Sequence, residues 1–438
     1  MKKITIDKII SIIVFGVLYY IYMNSVRKVM IPLDNIVIPS ILALLVVISF
    51  IYSKGKITVR GRIDKMLCLA WITILIYISI NNTSFFYNLI YRGMIQLFSM
   101  IVFMCLSAKS NNWMKTWIKA SEIFVIIHAV ATILFYFNGN LYSKFANIMF
   151  SGKTLTSAIK YYNKGYMSGL SSHFSTNGMI LGIGTLLFFG EIYNSIRNKK
   201  EKNDKIKYII MFFITLYALI LSSKRSPLIA SFISIAATYI ISNGKNVIRN
   251  IIVLLTVCII GWGGYKVLLP NIPGLSTIAD KFEKTEESDA GVLNGRSGLW
   301  KLAVDMFKEN PILGMGYGSY SERAKGEDAI TTSAHNYYLQ VLSELGIIGL
   351  ILYIIAMGTG ILLGIKTLNY TSKNDEKMLI YACISLAIQF FVLIYSITAT
   401  ALMYYDILVP YFLSLTSIRC IYLKSKNTNI EQEDYKKG

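Results

Sequence analysis

Charge is scarce in this sequence, and acidic charge most of all. Asp, Glu, Lys and Arg make up 16% of the 438 residues, and 44 Lys and Arg face only 24 Asp and Glu. A soluble domain of this length would carry about 25% charge. Histidine is scarcer still. His128, His173 and His335 are the three in the chain, far apart and without paired carboxylates, which makes a poor zinc site. No Asp-x-Asp triplet occurs, so a metal-bound sugar-nucleotide donor has no support. The five cysteines, Cys68, Cys105, Cys258, Cys383 and Cys420, are odd in number, form no Cys-x-x-Cys pair and lie in or beside hydrophobic runs. They read as packing residues rather than redox or disulfide partners. Proline is sparse while Ile, Lys, Asn and Tyr abound, a composition that suggests an AT-rich genome.

What the chain does have is apolar surface. Hydrophobic residues make up 54% of it and the mean hydropathy is +0.53. Runs long enough to cross a bilayer, which takes about 20 residues each, fall at roughly 9–23, 36–52, 66–80, 89–107, 120–138, 177–193, 208–223, 227–242, 251–269, 337–365, 378–398 and 402–418. They are continuously apolar rather than alternating, which selects helices over a barrel. The expected fold is all-α: a polytopic membrane protein of about twelve transmembrane helices in a single domain, 1–438. Met1-Lys2-Lys3 and the following apolar run resemble a signal peptide, but no small-residue cleavage site follows Tyr22, so the run reads as a retained first span.

A formal charge of +20 invites a nucleic-acid reading, which the position of the charge excludes. More than half of the 44 Lys and Arg fall at the N-terminus, in the connections 53–65, 108–119, 194–207, 243–250 and 366–377, and after the last span. That is the positive-inside bias of a membrane protein. It places both termini on the cytoplasmic side of the membrane. Two long segments then face outward: a loop at 139–176 and a larger extracytoplasmic loop at 270–336, before the tenth span. The first carries Lys144, Lys153, Lys160 and Lys164 without an Asp or Glu, which suggests an anionic partner.

The candidate chemistry clusters at the outer boundary. Ser222-Ser223-Lys224-Arg225-Ser226-Pro227 joins two spans with almost no loop. Ser226 can cap the second helix and Pro227 can start it, leaving open N–H groups beside Lys224 and Arg225 that suit a phosphate; two basic side chains snorkelling to lipid headgroups explain the same residues. Residues 297–310 read as an amphipathic helix with Leu299, Ala303 and Met306 on one stripe, ended by Pro311, lying on the membrane surface with Trp300 at headgroup depth. Arg296 stands at its start and, taken alone, reads as a solvated loop arginine. His335 is expected to start the tenth span, with Thr331, Thr332 and Ser333 as possible caps; a helix N-terminus disfavours imidazolium and keeps such a ring neutral. His128 reads as a polar residue buried in the fifth span, and His173 lies in the outer loop. Gly314-Met315-Gly316-Tyr317-Gly318 lacks the strand and helix of a dinucleotide site, and Ser151-Gly152-Lys153-Thr154 has Asn147 where a P-loop needs glycine.

Taken together, Arg225, Arg296, Asn310-Pro311-Ile312-Leu313-Gly314-Met315-Gly316 and Ala334-His335-Asn336 followed by Glu344-Leu345-Gly346-Ile347-Ile348-Gly349 resemble the O-antigen ligase and polysaccharide polymerase superfamily. The likeness is strong over about 290–350, looser at 168–177 and 222–230, and elsewhere one of hydropathy; the family's Ser-Arg-Gly turn stands here as Lys224-Arg225-Ser226-Pro227. The resemblance implies a metal-independent and cofactor-free membrane glycosyltransferase whose donor is a glycan on a polyprenyl diphosphate, in bacteria undecaprenyl diphosphate. It implies that Arg225 and Arg296 grip the diphosphate and His335 acts at the acceptor, with Lys224, Asn336 and His173 as further substrate-binding residues. Membrane lipid and other polysaccharide assembly proteins are the expected partners. A polymerase of capsular or extracellular polysaccharide repeat units, inverting at the anomeric carbon, is the expected function. A ligase transferring the glycan to lipid core, protein or wall is the alternative, and a lipid-linked oligosaccharide flippase, with its shorter outer loops and charges within spans, is the alternative of another class.

The topology is open to direct test. In a background lacking the native cysteines, a single cysteine at Ser288 is expected to react with an impermeant thiol reagent on intact cells and one at Asn203 to be protected. The reverse pattern would invert the assignment.

Overall fold

The structure, a computed structural model, describes residues 6–23, 34–81, 93, 96–97, 99–104, 106, 112–197, 202–242, 296–326, 333–371, 376–403 and 405–435. Every regular element among them is helical: α1 (Ile6–Tyr22), α2 (Asp34–Ser53), α3 (Gly61–Ile80), α4 (Asn112–Phe137), α5 (Gly139–Met149), α6 (Gly152–Asn163), α7 (Phe174–Arg197), α8 (Lys202–Leu221), α9 (Arg225–Ser242), α10 (Arg296–Glu309), α11 (Ser319–Gly326), α12 (Tyr337–Thr371), α13 (Glu376–Tyr395), a 3-10 turn at Ala401–Met403 and α14 (Tyr405–Tyr435). Each expected span coincides with one of these helices except 89–107, described only in part, and 251–269, which lies outside the described residues. Among the described residues seven helices are long and apolar enough to cross a membrane: Gly61–Ile80, Asn112–Phe137, Phe174–Arg197, Arg225–Ser242, Tyr337–Thr371, Met378–Tyr395 and Asp406–Ser425. Large apolar side chains along them, among them Leu69, Ile76, Leu134, Phe232 and Ile351, stay exposed. Water would penalise that surface and lipid solvates it, so the chain is an all-α integral membrane protein.

The chain divides into two compact units, Met1–Val14 with Asn35–Met114 and Ala290–Gly438, and Phe15–Asp34 with Lys115–Asp289. The second is built around α7, most of which is buried. Small residues let its neighbours close in: a Cβ on Gly184 would lie 2.1 Å from Val125 Cγ1, and Ser231 Oγ of α9 donates to the Gly182 carbonyl at 3.1 Å. His128 is the buried polar residue expected, with Nε2 2.7 Å from the Tyr22 carbonyl and Nδ1 3.3 Å from Asn177 Oδ1. Half-exposed Lys119 of α4 joins two buried carboxylates, Glu122 of the same helix and Glu191 of α7, at ammonium–carboxylate distances of 2.9 and 2.8 Å. Much of the segment 139–176, expected as an outer loop, is helical. α5 and α6 close on Phe135 through the stacked rings of Tyr142 and Tyr162, 4.3 Å apart, and the Tyr162 hydroxyl donates to the Phe135 carbonyl at 2.9 Å.

In the first unit α3, α13, α14 and α10 pack on α12. Trp71 is buried against Phe412, centroids 4.7 Å apart, with Tyr353 and Tyr411 at its edges. Arg419 has no exposed surface; its Nε and Nη2 both donate to the Asp64 carboxylate, Nη2 also to the Thr58 carbonyl, over the Phe103 ring. A charge so buried is tolerated only when paired.

The element that positions everything else in this unit is a break. At 1.5 Å per residue the 35 residues of α12 would span about 52 Å, against about 30 Å of hydrocarbon. Gly346, at φ 62° and ψ −166°, interrupts it. The turn after α10 enters the gap. Met315 N–H donates to the Ser343 carbonyl (3.0 Å), Gly316 N–H to Glu344 (2.8 Å), and Ile347 N–H returns a bond to Pro311 (3.0 Å). The fit is backbone on backbone: a Cβ on Gly346 would lie 2.3 Å from the Ile312 carbonyl oxygen, and one on Gly314 2.4 Å from the Leu345 and Gly346 nitrogens. The end of α3 closes the joint, with the Tyr77 hydroxyl between the Leu313 and Leu345 carbonyls, 3.1 Å from each. The Asn81 carbonyl accepts Tyr317 N–H and its side-chain amide donates to Leu313.

Gly346→Ala is therefore expected to lower the unfolding temperature in detergent and abolish function, since the methyl meets main chain that has nowhere to move. Gly358→Ala in the same helix, where nothing lies within 4 Å of the added carbon, is expected to leave both unchanged. Equal behaviour of the two variants would remove the joint as a constraint.

Candidate functional site

In the first unit the segment 333–336 is held from every side. Ala334 N–H donates to Gln340 Oε1 (3.2 Å) and its carbonyl accepts the Trp300 indole N–H (3.0 Å). Ser333 Oγ accepts His335 N–H (3.4 Å). Tyr337 N–H points at the Ser396 and Ala399 carbonyls, at 2.8 and 3.1 Å. The same 396–400 segment receives Arg296, whose Nη1 donates to the Thr398 carbonyl at 3.2 Å. Arg296, Trp300, His335 and Asn336 thus share one hydrogen-bonded support.

Three expectations change here. α12 begins at Tyr337, so His335 precedes the helix rather than starting it. Asn336 is the N-cap, its Oδ1 accepting Leu339 N–H at 3.1 Å, the short side-chain acceptor that this position prefers. Of the other expected caps, Thr331 and Thr332 lie outside the described residues and Ser333 bonds His335 instead. The apolar stripe of α10, expected on the membrane surface, is covered by protein: Ala303 and Met306 pack with Tyr320, Ala324 and Ala334, and the Tyr320 hydroxyl donates to the Leu299 carbonyl at 2.9 Å.

Beneath His335 runs a buried polar relay that sequence reasoning missed. Glu344 has no exposed surface. Its Oε2 accepts Gly318 N–H (3.0 Å) and its Oε1 accepts Gln340 Nε2–H (3.0 Å). Gln340 in turn holds Ala334 N–H, so the glycine-rich turn 314–318 and the histidine segment are tied through one carboxylate. A Gln and a Glu at i and i+4 on an otherwise apolar helix were the available signal, because such groups are kept in low dielectric only with full partners.

In the second unit Lys224, Arg225 and His173 come together. α9 starts at Arg225, two residues earlier than expected; Ser226 is not its cap, and Pro227 falls in the first turn, where no N–H partner is required. Lys224 precedes the helix and donates its N–H to Ser222 Oγ at 3.4 Å. The loop before α7 is strapped to this turn: Met167 N–H donates to Leu221 (3.3 Å) and Ser223 Oγ to Gly165 (3.2 Å). His173 Nδ1 accepts Ser175 N–H at 3.1 Å. Burial, and next the Lys224 charge, push its pKa down to about 4. It is a neutral ring at physiological pH, with its proton on Nε2.

The non-glycine residues with left-handed backbone among those described are Lys54, Ser223 (φ 53°) and His335 (φ 50°). Two of the three stand inside the motif segments. Such a conformation costs an L-residue about 1–2 kcal/mol and persists where surrounding bonds over-determine it, often at functional sites.

Residues 210–354 match the family profile described as O-antigen ligase, a stretch that contains Lys224, Arg225, Arg296, His335 and Asn336 but not His173. The exopolysaccharide production protein ExoQ of Rhizobium meliloti (strain 1021) is 30% identical over 100 residues, 20% of this chain and 23% of that protein. The chain therefore matches less than a quarter of that relative's length.

Glu344→Gln keeps the shape of the relay but turns an N–H pair toward Gly318 N–H or Gln340. Hydrogen bonds to a charged group contribute about 1.5–3 kcal/mol, and a loss of that order is expected in chemical unfolding in detergent. Unchanged stability would show that the carboxylate is not what holds the two segments.

Proposed function

From the match of residues 210–354 to the O-antigen ligase profile and the likeness to ExoQ, we propose that this chain is a member of the O-antigen ligase and polysaccharide polymerase superfamily and a polymerase of lipid-linked polysaccharide repeat units. It sits in a bacterial plasma membrane, with its site on the outer face and both termini in the cytoplasm. The donor is a glycan on a polyprenyl diphosphate. A sugar hydroxyl of the acceptor attacks the anomeric carbon, the bond from that carbon to the diphosphate oxygen breaks, and the centre inverts. Arg225 and Arg296 each supply a guanidinium to the departing diphosphate, offsetting its charge in a site of low dielectric. His335 takes the proton of the attacking hydroxyl. Lys224 adds charge at the diphosphate, and His173 adds a neutral Nε2–H donor beside it, toward the sugar.

The observation that carries this reading is the single support shared by Arg296 and His335, with His335 kept in a costly backbone conformation by bonds on both sides. A guanidinium and an imidazole fixed to one segment suit a reaction that must hold an anionic leaving group and accept a proton. The part that the relative ExoQ has in exopolysaccharide production favours a polymerase. The description of the matched family favours a second reading, a ligase that transfers the finished glycan to another acceptor.

Purified protein given a lipid-linked glycan is expected to yield longer products; transfer to a different acceptor would select the ligase. Arg225→Lys and Arg296→Lys keep charge but lose the bidentate fork, and each is expected to cut turnover strongly with expression maintained. His335→Gln, which cannot take a proton, is expected to lose about 10²–10⁴-fold. Near-normal turnover in His335→Gln would remove the proton-acceptor role, and in both Lys variants the diphosphate role.

A further inference from the structure

Beside Lys224, Arg225 and His173 the second unit holds three rings, Tyr161, Tyr166 and Phe174, with no part in the chemistry proposed above. His173 and Phe174 stack with centroids 4.5 Å apart. Tyr161, at the end of α6, meets His173 at 5.0 Å and Phe174 at 4.9 Å. Tyr166 lies 5.0 Å from Phe174 and nearly parallel to Tyr161, 23° between planes. The Lys224 ammonium sits 5.5 Å from the Phe174 centroid, and the Arg225 guanidinium acts on the Tyr166 hydroxyl. All six side chains are only partly buried, unlike the closed aromatic core of Phe135 and Tyr142 a few residues away. The segment 139–176 that contributes four of them carries lysines and no carboxylate.

We propose that Tyr161, Tyr166 and Phe174 form a platform for the first sugar of the donor, directly beside the diphosphate held by Lys224 and Arg225. A pyranose presents a face of C–H bonds and a rim of hydroxyls. The negative π face of an aromatic ring attracts the first, and two tyrosine hydroxyls with the fixed Nε2–H of His173 meet the second. A prenyl chain has no hydroxyls to match these groups, and an inorganic anion makes no use of the rings. The strapping of the 165–173 loop to the 221–223 turn by the Met167–Leu221 and Ser223–Gly165 bonds fixes the rings relative to the cations before any ligand binds, so the sugar does not have to order them.

The inference rests on the glycosyl-diphosphate reading, and the test separates the two. Binding of geranyl diphosphate and of geranyl-diphosphate-linked glucose is measured on the purified full-length protein in detergent. Wild type is expected to bind the glycosylated compound about tenfold more tightly, the equivalent of about 1.4 kcal/mol. Tyr161→Leu and Phe174→Leu are expected to erase that difference while keeping affinity for geranyl diphosphate, Tyr161→Phe to keep most of it, and Arg225→Lys to weaken both ligands. Equal affinity of wild type for the two compounds, a comparison independent of how any variant folds, would overturn the platform and leave the diphosphate reading standing. Equal loss of both ligands in the Leu variants would also overturn it. Binding of neither compound by wild type would remove the diphosphate reading and the platform with it.

Discussion

A helix broken inside a membrane protein must find new partners for the backbone groups it exposes, because hydrocarbon offers none and each orphan costs several kcal/mol. The break at Gly346 meets that demand with main chain from the 311–318 turn, and much of the first unit follows from it. Since the partner is backbone rather than a side chain, the contact closes only with glycine at 314 and 346. Closure places the Glu344 carboxylate within reach of Gly318 N–H, Gln340 relays the constraint to Ala334, and Ala334 holds the segment that carries His335. A requirement set by the solvent, that no polar backbone be left bare, thus becomes the geometry of one imidazole.

The second unit reaches the same end with side chains. Asn177 is fully buried and its amide reaches Thr132 Oγ1 at 2.9 Å and the Met167 carbonyl at 3.1 Å, fastening the loop before α7 to α4. Gly169 has to be glycine there, at φ 53° and with Asn177 Oδ1 2.7 Å from where a Cβ would stand. With the loop pinned, Ser223 holds its left-handed backbone and the two cations leave the turn together. Arginine, lysine and a neutral histidine are all donors, an arrangement suited to an anion.

Left-handed backbone at Ser223 and His335 marks both clusters, and the reason is mechanical. A tight turn between two helices must reverse the chain in a few residues, and elsewhere in this protein glycine takes such positions, at 165, 169, 314, 316 and 318. Where a side chain is needed at the turn, the strain has to be offset by fixed hydrogen bonds. Ser223 Oγ on Gly165 and the bonds on either side of His335 supply them.

Fold class was legible in the sequence because it rests on local properties. Continuous apolar runs, basic connections and a paucity of acid specify a helical membrane protein residue by residue, and Arg225, Arg296 and His335 announce their capacities by type alone. The apolar stripe of Leu299, Ala303 and Met306 was legible as a stripe; what covers it was not, since Tyr320 and Ala334 arrive from later elements. Asn336 as N-cap, His335 ahead of the helix and the start of α9 at Arg225 were set by a competition among neighbouring caps that only the folded hydrogen bonds decide. The largest gap was the joint at Gly346. Its bonds link Tyr77 to Leu313 and Leu345, 236 and 268 residues along the chain, and no local pattern carries that distance. The sequence alone determined which solvent the chain lives in and which groups can do chemistry; the tertiary structure decided where each helix breaks and which group holds which, because a backbone bond in lipid is settled by what lies opposite it.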